Sequence, residues 1–136
     1  MLVYIAGPYA QGDVAVNVRN AIDAAEQVWQ AGHTPFVPHL NVLWHMVYPH
    51  PPSDWYFWDS IWLMRCDALI RLEGESPGAD MEVQQACRER TLVYYGVEAF
   101  LLEHGARRRG LGDEGVLSFL PGQIILCGPG AGVVGS

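Results

Sequence analysis

The chain is short of positive charge. Eight Lys and Arg stand against fifteen Asp and Glu, for a formal net charge of -7. Binding a nucleic-acid polymer needs a basic face, so that class of partner is not expected. A small ligand with its own phosphate is still allowed, because helix-end dipoles and one arginine suffice to hold it. Cysteine is scarce as well. Cys66, Cys87 and Cys127 are an odd number without close pairing, and they read as reduced, buried thiols of a cytoplasmic protein. The segment MLVYIAGPYA starts directly as a strand, with no basic region before a long apolar run. Neither a signal peptide nor a membrane span is expected. GxGxxG and P-loop motifs are both missing, so Gly7-Pro8-Tyr9 is not a dinucleotide fingerprint. His39 and His45 lack helical ligand spacing and a cysteine partner, which argues against a metal. No internal repeat is visible.

What is there is apolar and regularly punctuated. Half of the 136 residues are hydrophobic, enough for one domain with a real core. Leu2–Ala6, Thr34–Val37, Ala68–Leu72 and Thr91–Tyr95 read as short strands. Val14, Val18, Ala21, Ile22, Ala25, Val28 and Trp29 recur at helical spacing, predicting a helix from Asp13 to Ala31 with Asp13 as cap. Residues 39–48 read as helical without a clean period. Asp54–Met64 reads as a tryptophan-rich helix capped by Ser53 or Asp54. A further helix is expected to open at Ala79-Asp80, and a last one over Val97–His104. Alternating strands and helices with short links predict an α/β fold. Its parallel sheet should be covered on both faces, in strand order 2-1-3-4, with room for a fifth strand. The domain is expected over residues 1–104. Residues 105–136 form an extension with a basic run at Arg107–Arg109, a candidate edge hairpin around Pro121-Gly122, and a glycine-rich tail.

That strand order puts the topological switch between the first and third strands, where ligands of open α/β sheets bind. The loops Gly7–Asp13 and Glu73–Ala79 then share one crevice. Ser76, Gly78, Asp80 and Glu82 stand at its edge. A carboxylate in a helix's first turn commonly serves the helix dipole. For Glu82, the neighbouring Gly78 and Ser76 favour a chemical role, with the helix start keeping the acid ionised as a nucleophile requires. Asp80 should point about 200° around the helix from Glu82, which gives it a lesser role. Asp59 lies among Trp55, Tyr56, Phe57, Trp58 and Trp62. Spacing leaves two readings open there, a solvated acid on the outer face or a desolvated proton donor. Asp67, at the far end of the third strand, reads as a turn or cap. Most aromatics between Trp44 and Trp62 are expected in the core, with one or two free to stack on a heterocycle. Arg19 is the one cation near the first loop.

Tyr4-Ile5-Ala6-Gly7-Pro8-Tyr9, Pro38-His39-Leu40, Cys66-Asp67-Ala68-Leu69 and Ser76-x-Gly78-x-x-x-Glu82, in that order, resemble the nucleoside 2-deoxyribosyltransferase superfamily. That group includes deoxyribosyltransferases and nucleoside 5′-monophosphate N-glycosidases. The resemblance spans roughly Met1 to His104. It implies a flavodoxin-like fold and a homo-oligomer whose neighbouring subunits close each site. It assigns Glu82 as nucleophile, Asp59 to the proton on the base, and Tyr4 to orienting the glutamate. Ser76 stands where transferases of free nucleosides carry an acid and monophosphate glycosidases carry serine.

The expected activity is therefore hydrolysis of the N-glycosidic bond of a nucleoside 5′-monophosphate, releasing a base and a sugar phosphate. Glu82, Asp59 and Tyr4 are the catalytic set. Gly7, Pro8, Tyr9, Arg19, Ser76, Gly78 and Asp80 are the substrate contacts, and no cofactor is called for. Base exchange between nucleosides is the first alternative. A non-catalytic nucleotide or nucleotide-sugar binder is the second, and a structural subunit the third.

Overall fold

The computed structural model describes residues 1–105 and 124–125. Three short strands form its centre: β1 (Leu2–Ala6), β3 (Ala68–Arg71) and β4 (Leu92–Tyr95). β2 (Thr34–Phe36) flanks β1, and β5 (Ile124–Ile125) closes the other edge. The order is β2-β1-β3-β4-β5. β1 pairs in parallel with β2 and β3, with Tyr4 opposite Phe36 and Leu69. β4 runs parallel to β3 and antiparallel to β5. The expected order 2-1-3-4 and its fifth strand are both present. Ser118–Leu120, the other arm of the expected hairpin, lies outside the described residues, as do Arg107–Arg109, Cys127 and the glycine-rich tail.

Side chains alternate across each strand, so β1 feeds two cores. Val3 and Ile5 pack with Ala68, Ile70 and Tyr94 against α1 (Val14–Gln30) and α5 (Val97–His104). Tyr4 and Ala6 pack with Leu69 and Val93 on the opposite face, against Leu63 of α3 (Pro52–Leu63) and Ala79 and Ala86 of α4 (Pro77–Arg88). With helices on both faces, the central strands are apolar apart from Arg71 at the end of β3, which is why they read as hydrophobic runs. The architecture is a flavodoxin-like three-layer α/β fold.

Several boundaries differ from expectation for local reasons. Asp13 does cap α1, accepting from the amides of Ala15 and Val16. α3, however, starts at Pro52 with Pro51 as a cap without a side-chain bond, because proline suits the first helical position. α4 likewise starts at Pro77, with Ser76 as N-cap. Residues 38–40 form a 3-10 turn that leads into the short α2 (Asn41–Val47). Asp67 accepts from the Leu2 amide at 2.7 Å, the structural role expected of it. Cys66 is a free thiol, but Cys87 is disulfide-bonded, which corrects the reading of three reduced thiols. Among the described residues, no helix is long and apolar enough to cross a membrane.

The aromatic stretch is also placed differently. α2 buries none of its residues, and α3 buries only Asp59 and Leu63. Trp44, Tyr48, Tyr56, Phe57, Trp58 and Trp62 are exposed instead of packed in the core, and Leu43, Met46, Val47 and Ile61 are exposed beside them.

Candidate active site

A cavity of about 530 Å³ opens at the carboxyl end of the sheet. Gly7, Tyr9, Ala10 and Gln11 line it from the loop after β1, Ser76 from the end of the loop after β3, and Gly78 from the first turn of α4. The two loops meet behind it. A β-carbon on Gly7 would lie 2.9 Å from Leu72 Cβ, and one on Gly74, at φ +111°, would lie 2.8 Å from Pro8 Cγ. Glycine at both places is what lets each loop's backbone lie against the other's Leu72 or Pro8 side chain. Pro8 itself faces away from the cavity lining, but its carbonyl accepts from His39 Nε2 at 3.0 Å.

Two carboxyl groups line this cavity, Glu82 and Asp59. Glu82 lies between Ala79 and Ala86 on the inward stripe of α4, in the second helical turn and not the first. The helix start therefore does not govern its ionisation. Burial dominates and pushes its carboxyl up to about 7, with the nearby Asp59 charge adding to the rise. The Tyr4 hydrogen bond and the Arg71 charge oppose that rise. The Tyr4 hydroxyl, buried in β1, donates to Glu82 Oε1 at 2.6 Å. Burial first, then the Glu82 and Asp59 charges, raise the Tyr4 pKa and keep it a donor.

Asp59 sits one turn before Leu63, so the residue that anchors α3 in the core also turns this acid inward. It is 8% exposed, which decides between the two readings of its helix face. Burial pushes its carboxyl up to about 6, opposed by the Asn41 amide, which donates to Oδ1 at 2.8 Å.

Ser76 caps α4, its Oγ accepting from Ala79 N at 3.2 Å, which leaves the hydroxyl proton free to donate. Pro77 has no N–H to offer. Besides Pro8, two expected contacts are not in the cavity. Arg19 projects from α1 into solvent, 3.8 Å from Asp23, with its side chain 82% exposed. Asp80 pairs with Arg71 at 3.0 Å on the far side of α4 from Glu82, as its position around the helix requires. Among the described residues, no Lys or Arg lines the cavity.

Sequence reading missed the α2–α3 wall, made by Asn41, His45, His50 and Trp55 together with Tyr56. His45 Nδ1 accepts from the Trp55 indole N–H at 3.0 Å and from the His50 amide at 3.2 Å. It also missed Arg71. That guanidinium, buried at the end of β3, donates to the carbonyls of Leu72 and Gly74 and to Asp80. A charged residue closing an otherwise apolar strand was the available signal. His39 is buried, its pKa lowered by that burial against the opposing Pro8 and Gly7 backbone. Its Nδ1 is the one buried side-chain nitrogen or oxygen among the described residues without a hydrogen-bond partner.

This chain belongs to the family described as a domain of unknown function, DUF7768, which matches residues 1–96. Its structure is similar to that of a 2-deoxyribosyltransferase from the psychrotolerant bacterium Bacillus psychrosaccharolyticus, characterised as a biocatalyst for synthesis of antiviral and antitumoral nucleosides. The TM-score is 0.51 and the identity 17%, covering 68% of this chain and 69% of that chain. At that identity the likeness is one of fold. No curated protein sequence matches the chain.

Proposed function

We propose that this protein transfers the sugar of a nucleoside from one base to another, as a 2-deoxyribosyltransferase does, with Glu82 as nucleophile. The observation that carries this reading is the pairing of Glu82 and Asp59 in a cavity that no arginine or lysine among the described residues lines. A neutral nucleoside suits such a lining better than a dianionic phosphate, since the net local charge is acidic. Fold similarity to a 2-deoxyribosyltransferase supports the same choice.

In this reading Tyr4 occupies Glu82 Oε1 and leaves Oε2 to attack. The Oε2–C1′ bond forms as the C1′–N bond breaks, and the bond pair stays on the departing base. Asp59 gives that base a proton, for which a carboxyl raised to about 6 is suited. A second base then attacks C1′ of the glycosyl ester, loses its proton to Asp59, and frees Glu82. Ser76 and Gly78 hold the 5′ end of the sugar, with Gly7 and Tyr9 on the opposite loop. Incubation with a deoxynucleoside and a different free base tests this. A new nucleoside is expected, and its absence together with undiminished turnover in Glu82→Ala would refute it.

Hydrolysis of a nucleoside 5′-monophosphate is a second reading, favoured by one observation. Ser76, and not a carboxylate, caps the helix at the site's 5′ edge, where its hydroxyl can donate to a phosphate oxygen. Base release from monophosphates, with water as acceptor and no exchange, separates the two. A homo-oligomer accompanies both readings, supported by the exposed apolar residues of α2 and α3.

A further inference from the structure

His45 has a fixed tautomer. Its Nδ1 accepts from two N–H groups, Trp55 Nε1 at 3.0 Å and the His50 amide at 3.2 Å. A nitrogen that accepts carries no proton, so the neutral ring holds its proton on Nε2. Both donors are held rigidly, one in an indole on α3 and the other in the backbone between α2 and α3. The imidazole is therefore aimed as well as protonated in one way. The ring lines the cavity, and its Nε2 has no hydrogen-bond partner among the described residues.

His39 makes no such offer. Its Nε2 must donate, because the Pro8 carbonyl can only accept, and its Nδ1 is buried with almost no accessible surface. The cavity thus offers the His45 donor on a wall that also carries Trp55 and Tyr56. Sugar hydroxyls do not need this pairing of a donor with a flat apolar wall. A planar heterocycle with a ring nitrogen or carbonyl oxygen on its edge does.

We propose that His45 is the recognition residue for the heterocycle, its Nε2–H donating to a ring nitrogen or carbonyl oxygen of the base. The proposal rests on the nucleoside reading above and assigns the α2–α3 wall as its base subsite. Trp55 is a positioning residue that holds the His45 tautomer.

Calorimetric titration of the full chain with adenine, hypoxanthine, cytosine and thymine tests it. Each base is paired with analogues lacking one ring nitrogen or one carbonyl oxygen. For the wild type, deleting the recognised acceptor should weaken binding roughly ten-fold. In His45→Phe the same deletion should change nothing, while His45→Gln, which keeps a donor near Nε2, should retain the discrimination. Equal losses in wild type and His45→Phe for every analogue overturn the proposal while leaving the nucleoside reading intact. A wild type that binds no base overturns both. Nitrogen-15 spectra of wild type and Trp55→Phe give a readout that does not depend on turnover or on the His45→Phe fold. The proton should be on Nε2 in the wild type and redistribute in Trp55→Phe. A wild-type proton on Nδ1 overturns the proposal.

Discussion

The Tyr4 hydroxyl and the Glu82 carboxylate, 78 positions apart in the chain, meet at 2.6 Å across the join between β1 and α4. The bond favours the ionised glutamate against a burial that disfavours it. Removing the hydroxyl in Tyr4→Phe should therefore raise the Glu82 pKa above about 7. Because Asp59, at about 6, must hold its proton while Glu82, at about 7, is ionised, Glu82 sets the alkaline limb of the pH–rate profile. That limb should move to higher pH, with a fall in kcat on the order of ten-fold or more. A pH series of turnover in the two proteins checks this, and an unmoved limb counts against the role given to Tyr4.

Glu82 also links stability to pH. Its folded-state pKa, about 7, lies above the ordinary 4.5, so folding holds the proton more tightly than the unfolded chain does. That contribution is complete below about 4.5 and is lost as pH rises through about 7. Glu82→Gln should accordingly abolish transfer yet stabilise the protein on the alkaline side, by about 3 kcal/mol. Below the ordinary carboxyl range the difference should vanish. Urea titrations at acid and alkaline pH measure both.

Asp59 and Glu82 share a cavity and titrate as a pair. Transfer needs one of them protonated and the other ionised, so the rate should peak between about 6 and about 7. The Asn41 bond holds Asp59 down, and Asn41→Leu should push its pKa up. The acid limb, which Asp59 sets because its pKa is the lower of the two, should then shift to higher pH. An acid limb indifferent to Asn41 would mean that Asp59 is not the proton donor.

Arg71 is 7% exposed and gives its donors to two loop carbonyls and Asp80. Arg71→Met strands those acceptors, and a loss of roughly 3 kcal/mol is expected. Asp80→Asn leaves the loop carbonyls bonded, and its own side chain is largely in solvent, so about 1 kcal/mol or less is expected. Denaturant midpoints of the two variants test that ordering.

The α2–α3 face should be covered by a second copy. Sedimentation of the wild type is expected to give a dimer or larger species, and a charge at Phe57 or Ile61 should dissociate it. A monomeric wild type would remove the oligomer from the account.

Much of this arrangement could be read from residues. The β1, β3 and β4 runs are apolar because helices cover both sheet faces, so Leu2–Ala6 and Ala68–Arg71 announce central strands. The crevice followed from strand order alone. Glu82 was legible, but its position in the helix was misjudged by a turn, because Pro77 was read as loop when it is a first helical residue. α3 was illegible in its facing. Apolar residues occur all round it, and only the anchor Leu63 shows which way Asp59 turns. Arg19 is adjacent to the first loop in sequence, but its helix face points to solvent.

The glycines behind the cavity set limits on how this scaffold can diversify. With Gly7 against Leu72 and Gly74 against Pro8, any side chain added on that side must displace main chain. The rear wall therefore has one permitted width. Relatives that accept bulkier or differently polar ligands should differ at Asn41, His45, His50 and Trp55, where a substitution alters shape without prising two strand ends apart.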